Sequence, residues 1–416
     1  MKRLLLLPAM VFSAVSVAAA QAKTAEQILA EPAVQAAMKS IQANEPKFIE
    51  EQIKLTEIPA PPFHEAARGL ELQKLFTQAG LKNLRIDAAG NVLGDLPGAQ
   101  AHPHLVIAAH QDTVFPEGTD VTVKRNGTVL SAPGIGDDGR GLAALLALID
   151  AMQKNKIATR GTITFVADVG EEGLGDSRGT KALFATTLKD QIDEFISIDG
   201  TDMTRIVRIG VGSYRYRVTF TGPGGHSYGA FGLANPAHAL GRAVAKISDI
   251  QTPTNPKTTY NVGRIGGGTS VNAIPYEAWF EFDERSADTR SLDAVDAQFK
   301  AAVQAGLDEE NAFRHDKGKL SVKIESIGIR PAGETPADAP ILKAAAASVR
   351  ALGLGEVKFE ESSTDSNVPM HLGIPAMTMA GGGTGKGAHS LGESFDTTDS
   401  YKGVQNLLLT ALLLVQ

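Results

Sequence analysis

Three short apolar runs, each followed within a few residues by histidine or carboxylates, constrain this chain more than any other feature. They span residues 104–109, 162–167 and 195–198. All are nearly continuous in apolar or β-branched side chains, the pattern of strands covered on both faces of a sheet. Between the first two lies 141–152, where Leu142, Leu145, Leu146, Leu148 and Ile149 recur at helical spacing. Strand and helix alternating in this way predict an α/β fold, a mixed sheet flanked by helices. Helical patterns at 25–58 and 64–79 precede this region, separated by the stop signal Pro59, Pro61 and Pro62. A helix at 341–352, a strand at 376–379 and a helix at 401–415 complete it.

The segment between has another rhythm. Strand patterns at 214–220, 258–265, 278–282 and 320–324 enclose helical patterns at 235–250 and 291–305. The order β-α-β-β-α-β is that of a ferredoxin-like α+β unit. We therefore expect an inserted domain over 210–326, with the main domain built from 23–209 and 327–416. Residues 1–22 read as an export signal. Lys2 and Arg3 precede an apolar run from Leu4 to Val17, and small residues follow at 18–20. The run is too short for a stable membrane anchor. The expected location is periplasmic or secreted.

Composition narrows the chemistry. The chain has no cysteine, so thiolate nucleophiles, disulfides and sulfur-ligated metals are excluded. A net charge of −7 lacks the basic footprint of a nucleic-acid binder. What remains is His, Asp and Glu at strand ends: His110 and Asp112, Glu171 and Glu172, and Asp199. Asp137 and Asp138 sit in a Gly-rich turn before the Leu-rich helix, and His389 lies in a loop after the 376–379 strand. In an open α/β sheet, side chains just beyond the carboxyl ends of the strands converge on one crevice. Carboxylates gathered there repel one another, and cations make such a cluster stable. Two His and three carboxylates without sulfur suit Zn²⁺, with Co²⁺ or Mn²⁺ as alternatives, and the ligand number fits two ions sharing one carboxylate. The Gly134-Ile-Gly-Asp-Asp-Gly turn also satisfies G-x-G-x-x-G, but its two negative charges oppose a pyrophosphate.

The motifs resemble those of the dinuclear zinc peptidase and aminoacylase family, which includes peptidase T, glutamate carboxypeptidase, acetylornithine deacetylase and succinyl-diaminopimelate desuccinylase. The matching stretches are His110-Gln-Asp-Thr-Val, the Gly134 turn, Asp168-Val-Gly-Glu-Glu-Gly, Ser197-Ile-Asp, Gly222-Pro-Gly-Gly-His-Ser, Ser270-Val-Asn-Ala-Ile-Pro and Ala388-His. The resemblance implies a zinc-exopeptidase-like sheet with a lid or dimerisation insertion, and two Zn²⁺ ions. Asp137 would bridge them, His110 and Asp199 completing one site and Glu172 and His389 the other. Glu171 would be the general base, and Asp112 would accept the His110 ring N–H. His226 would stabilise the oxyanion, often from a partner subunit of a homodimer, with Asn272 nearby. Arg285 is a candidate for binding a substrate carboxylate. Thr364, Asp365 and Gly381–Gly383 are expected in the pocket wall. Asp at position 199 leans toward peptidases of short peptides; the alternative is an N-acyl amino acid deacylase or carboxypeptidase. A non-catalytic binding protein is disfavoured, because Glu171 and all five ligands are retained.

Overall fold

The computed structural model describes residues 23–416. The expected export signal at 1–22 lies outside the described residues. Among the described residues, no helix is long and apolar enough to cross a membrane.

The three apolar runs form His104–His110, Thr162–Asp168 and Glu194–Ile198, and the fourth strand pattern forms Ala376–Met379. These four lie side by side and parallel, in the spatial order Thr162–Asp168, His104–His110, Glu194–Ile198, Ala376–Met379. Antiparallel strands extend both flanks: Val92–Leu96 and Lys82–Ile86 beyond Thr162–Asp168, Arg205–Gly210 beyond Ala376–Met379. The sheet is therefore mixed, with nine strands. Every residue of His104–His110 is buried. Leu105, Ile107 and Ala109 face one apolar cluster, and Val106 and Ala108 face the other. This is why the run reads as continuous rather than alternating.

The Leu-rich helix, Gly139–Lys154, lies on one face between the sheet and the helices Pro32–Thr56 and Tyr401–Val415. Its start is fixed by charge. Arg140 is fully buried; its guanidinium donates to Gly381 O (2.8 Å) and Ser400 O (2.7 Å) and pairs with Glu45 at 3.0 Å. Gly381–Gly383 thus meet this clamp and Phe395 rather than lining the pocket, which corrects the sequence expectation. Gly139 is required for space, since a Cβ there would stand 2.7 Å from Gly134 O.

The insertion runs from Gly212–Thr221 to Ser321–Arg330, so its last strand ends four residues beyond the expected boundary at 326. Its four strands are ordered Thr258–Gly267, Glu277–Ser286, Gly212–Thr221, Ser321–Arg330, all antiparallel. Glu277–Ser286 alternates buried and half-buried side chains without a break, as a sheet covered on one face demands. The helices Pro236–Ser248 and Thr289–Phe313 cover that face. Phe299, from the second helix, stacks on Phe282 with ring centroids 4.1 Å apart.

A small second sheet was not legible in the sequence. Ser394–Asp396 pairs with Thr384–Lys386 on one side and with Val129–Ser131 on the other. Its strands are too short to carry a period. This sheet brings the His389 loop against the Gly134 turn.

Removing one member of the Arg140–Glu45 pair leaves a charge buried without its partner, at a cost of about 3–5 kcal/mol. Glu45→Ala is expected to lower the stability of the main domain by that order in denaturant unfolding.

Candidate active site

The carboxyl ends of the four parallel strands open on one edge, and the expected ligands gather there. His110 ends its strand; its Nδ1–H donates to Asp112 O at 3.0 Å, which leaves Nε2 facing Asp137 Oδ1 at 3.1 Å. That backbone bond sets the tautomer with Nε2 available to a metal. His389 lies in the left-handed region (φ 65°), held by the small hairpin, and its Nε2 is 3.1 Å from Asp137 Oδ2 and 2.9 Å from Glu172 Oε1. Three groups have one donor atom per residue within 4.8 Å of the others: His110, Asp137 and Asp199; Asp137, Glu172 and His389; and His110, Glu171 and Glu172. The first two form a pair of candidate ligand sets that share Asp137, one oxygen toward each histidine. Only nitrogen and oxygen donors are present, and the shared carboxylate is the geometry of a two-ion site.

Burial and like charge dominate the electrostatics of the cluster. Burial, reinforced by Asp137, raises Asp199 to about 7. Burial likewise raises Glu172. Hydrogen bonds to Asp137 and Glu172 raise His389 to about 10. Burial works against protonation of His110, but Asp137, Asp138 and Asp112 overcome it and hold the ring well above the usual imidazole range. Protons thus do in the metal-free protein what divalent ions do in the loaded one.

Carboxylates that bind no metal fix the frame. The structure corrects the role expected for Asp112. Its carboxylate oxygen stands 3.7 Å from the His110 ring, and instead it accepts the backbone N–H of Glu171 (3.0 Å) and Glu172 (2.8 Å). It therefore orients the Glu171–Glu172 turn, while its carbonyl orients the ring. Asp138 caps the Leu-rich helix through Gly141 N (2.9 Å) and accepts His110 N (3.1 Å), so the paired aspartates divide into one ligand and one anchor. Glu393, four residues past His389, accepts N–H from Gly134 (2.9 Å), Gly136 (2.8 Å) and Asp137 (2.9 Å). It joins the loop of one ligand to the turn of another. Its sequence signal was only its place at the end of the His389 loop.

The site opens into a cavity of 380 Å³ lined by Asp137, Glu171, Glu172, Asp199 and His389, and by Arg205, Arg215, Arg285 and Arg330. Arg285 was expected there; the other three were missed, because no motif marks them. Glu171 is fixed on one side, its Oε1 accepting from Arg330 Nη1 at 2.7 Å and its carbonyl from Arg330 Nη2. Its Oε2 makes no hydrogen bond to the described residues. Ser362 and Ser363 line the cavity, whereas Thr364 and Asp365, expected in its wall, are buried; Asp365 accepts a hydrogen bond from Thr180. His226, on the exposed strand Gly225–His226, and Asn272, in the turn before the paired strand Ala273–Ile274, are neighbours in the insertion and lie outside this lining. His226 Nδ1 accepts N–H from Tyr228 and Gly229, both at 3.2 Å, which leaves the proton on Nε2.

The sequence profile of Peptidase family M20/M25/M40 matches residues 106–413, nearly three quarters of the chain. The chain belongs to this family. It is a metallopeptidase-family hydrolase, and members bind divalent metals, for which the two ligand sets are the candidates. It is 26% identical over 391 residues to the uncharacterized protein YqjE of Bacillus subtilis, covering 89% of this chain and 97% of that one. The fold is similar to that of aminopeptidase PepT from Bacillus cereus, with a TM-score of 0.71 and 21% identity over 89% of this chain and 99% of that one. A tripeptidase from Staphylococcus aureus is similar too, with a TM-score of 0.69 and 23% identity, covering 88% and 97% of the two chains. The M20 fold thus accounts for both the mixed sheet and the insertion.

Protons compete with metal for His389 and Asp199, whose values are raised to about 10 and about 7. Zn²⁺ binding is expected to release protons near neutral pH and to weaken as pH falls, first below about 10 with His389 and more steeply below about 7 with Asp199. Calorimetry in buffers of different ionisation enthalpy measures both. Glu393→Gln removes part of the acceptor set under Asp137 and is expected to weaken Zn²⁺ binding by roughly 10–100-fold, as losses of supporting partners do.

Proposed function

We propose that the protein is an exported exopeptidase that hydrolyses the amide bond of short peptides, with two Zn²⁺ ions held by His110, Asp137, Glu172, Asp199 and His389. The observation that carries this reading is the position of Glu171. It lines the same cavity as the ligands, adjoins Glu172 in sequence, and keeps one oxygen free of protein partners. When bound, paired divalent ions lower the pKa of water toward ~7 and polarise a carbonyl. Glu171 takes the proton of the attacking water as its oxygen adds to the amide carbon. The C–N bond then breaks and Glu171 returns the proton to the departing amine. Arg330 holds Glu171 by both its side chain and its carbonyl, which keeps the base aimed. Asp199 and the full-length likeness to an aminopeptidase and a tripeptidase favour free peptides. An N-acyl amino acid deacylase or a carboxypeptidase is the alternative, using the same residues.

His226 is proposed to donate Nε2–H to the oxyanion of a partner subunit, with Asn272 beside it, in a homodimer formed through the insertion. The support is its placement. It is exposed, carries its proton outward, and lies outside its own chain's cavity. Export rests on the sequence pattern of residues 1–22.

Purified protein should hydrolyse dipeptides or tripeptides, stop on chelation and recover with Zn²⁺. Glu171→Gln should bind Zn²⁺ normally yet lose about 10²–10⁴ of kcat, the usual share of a general acid–base. Full turnover in that variant with metal bound would overturn the mechanism. His226→Ala should lower kcat with little change in KM. Mixing it with Glu171→Gln after dissociation and reassociation should restore part of the activity, because one mixed site then has both residues; no recovery would place His226 elsewhere.

A further inference from the structure

The cavity wall holds more positive charge than catalysis uses. Arg330 is committed to Glu171 and Ser363. The other three arginines are held from behind and leave nitrogens free. Arg215 Nε and Arg285 Nε donate to the two oxygens of one carboxylate, Asp283, at 3.0 and 2.9 Å. Arg205 Nε donates to Glu360 at 2.9 Å. Among the described residues, both terminal nitrogens of Arg205 and Arg285 and one of Arg215 make no hydrogen bond.

Their places matter. Arg205 starts the flanking strand beside Asp199, its Nη1 3.6 Å from where a Cβ of Gly200 would stand. Arg215 reaches from the insertion to the other ligand set, donating Nη1 to Gly173 O at 2.7 Å, next to Glu172. One guanidinium therefore adjoins each ligand set. The four arginines in the lining equal its four carboxylates, Asp137, Glu171, Glu172 and Asp199, in charge. With Asp283 and Glu360 counted behind the arginines, two divalent ions would leave a surplus of two positive charges. A neutral dipeptide offers one carboxylate to that surplus. Fixed guanidinium forks recognise carboxylates through paired, charge-assisted hydrogen bonds, which amides do not match.

We propose that the substrate carries two carboxylates: a short peptide with an acidic side chain beside its α-carboxylate, one group held by Arg215 and Arg285 and the other by Arg205. This rests on the amide-hydrolase reading only for where the substrate lies. The test compares isosteric pairs, Ala-Glu against Ala-Gln and Glu-Ala against Gln-Ala, on the Zn²⁺-loaded full chain. In at least one pair the acidic member should have roughly tenfold or more the kcat/KM of its amide, as expected for one hydrogen-bonded charge pair. Arg205→Met and Arg215→Met should each bring that ratio toward one, with unfolding midpoints checked alongside and Arg215→Lys retaining part of the preference. Equal turnover within both pairs, or an unchanged ratio in both variants, would overturn the proposal. If no dipeptide is hydrolysed at all, the hydrolase reading fails separately. Calorimetry of Ala-Glu, Ala-Gln, Glu-Ala and Gln-Ala with Zn²⁺-loaded Glu171→Gln then decides. Roughly tenfold tighter binding of an acidic member supports the assignment, and equal affinities within both pairs reject it.

Discussion

Mutual repulsion among buried carboxylates is the constraint on which this structure turns. Asp137, Glu172 and Asp199 lie within a few ångströms of two imidazoles, with Glu171, Asp112 and Asp138 immediately around them. Desolvation pushes Asp112 and Asp199 up to about 7 and Asp138 well above its usual range. Only cation charge, from protons or divalent ions, makes such a gathering stable in a medium of low polarity. Everything beneath the site holds that gathering in place.

The supporting layer works mainly through backbone amides. Asp112 fixes the Glu171–Glu172 turn, Glu393 fixes the Gly134 turn, and Asp138 ties the start of the Leu-rich helix to the end of a strand. In each case one carboxylate accepts two or more N–H groups from segments that bear or adjoin candidate ligands or Glu171. Arg140 does the complementary work with carbonyls, linking the helix start to Gly381 and Ser400. The ligands are positioned by a rigid frame, as a metal site requires.

The insertion contributes charge as well as shape. Arg330, at the end of its last strand, grips Glu171, and Arg215 grips Gly173, so two strands of the insertion touch the segment that carries Glu171. Asp283 sits behind Arg215 and Arg285 and sets both guanidinium groups. Carboxylates and histidines of the main domain and arginines of both domains thus meet in one cavity.

Much of this was legible in the residues. The apolar runs fixed which strands are central because only a sheet covered on both faces tolerates continuous apolar sequence. The acids and histidines after them were legible because parallel strands deliver their carboxyl ends to one edge. The five candidate ligands and Glu171 were named from that logic together with a family resemblance, and the fold brings them together. The partner of Asp112 was not legible, since sequence proximity to His110 does not say whether a carbonyl or a carboxylate meets the ring. Nor were the three-residue strands that carry His389 to Asp137, which are too short to show a period. Arg205, Arg215 and Arg330 look like surface residues in one dimension. Only the tertiary structure decides that they face the site: Arg215 and Arg330 meet Gly173 and Glu171, 42 and 159 residues away in sequence, and Arg205 stands at the start of a flanking strand of the main sheet, so no local pattern marks them.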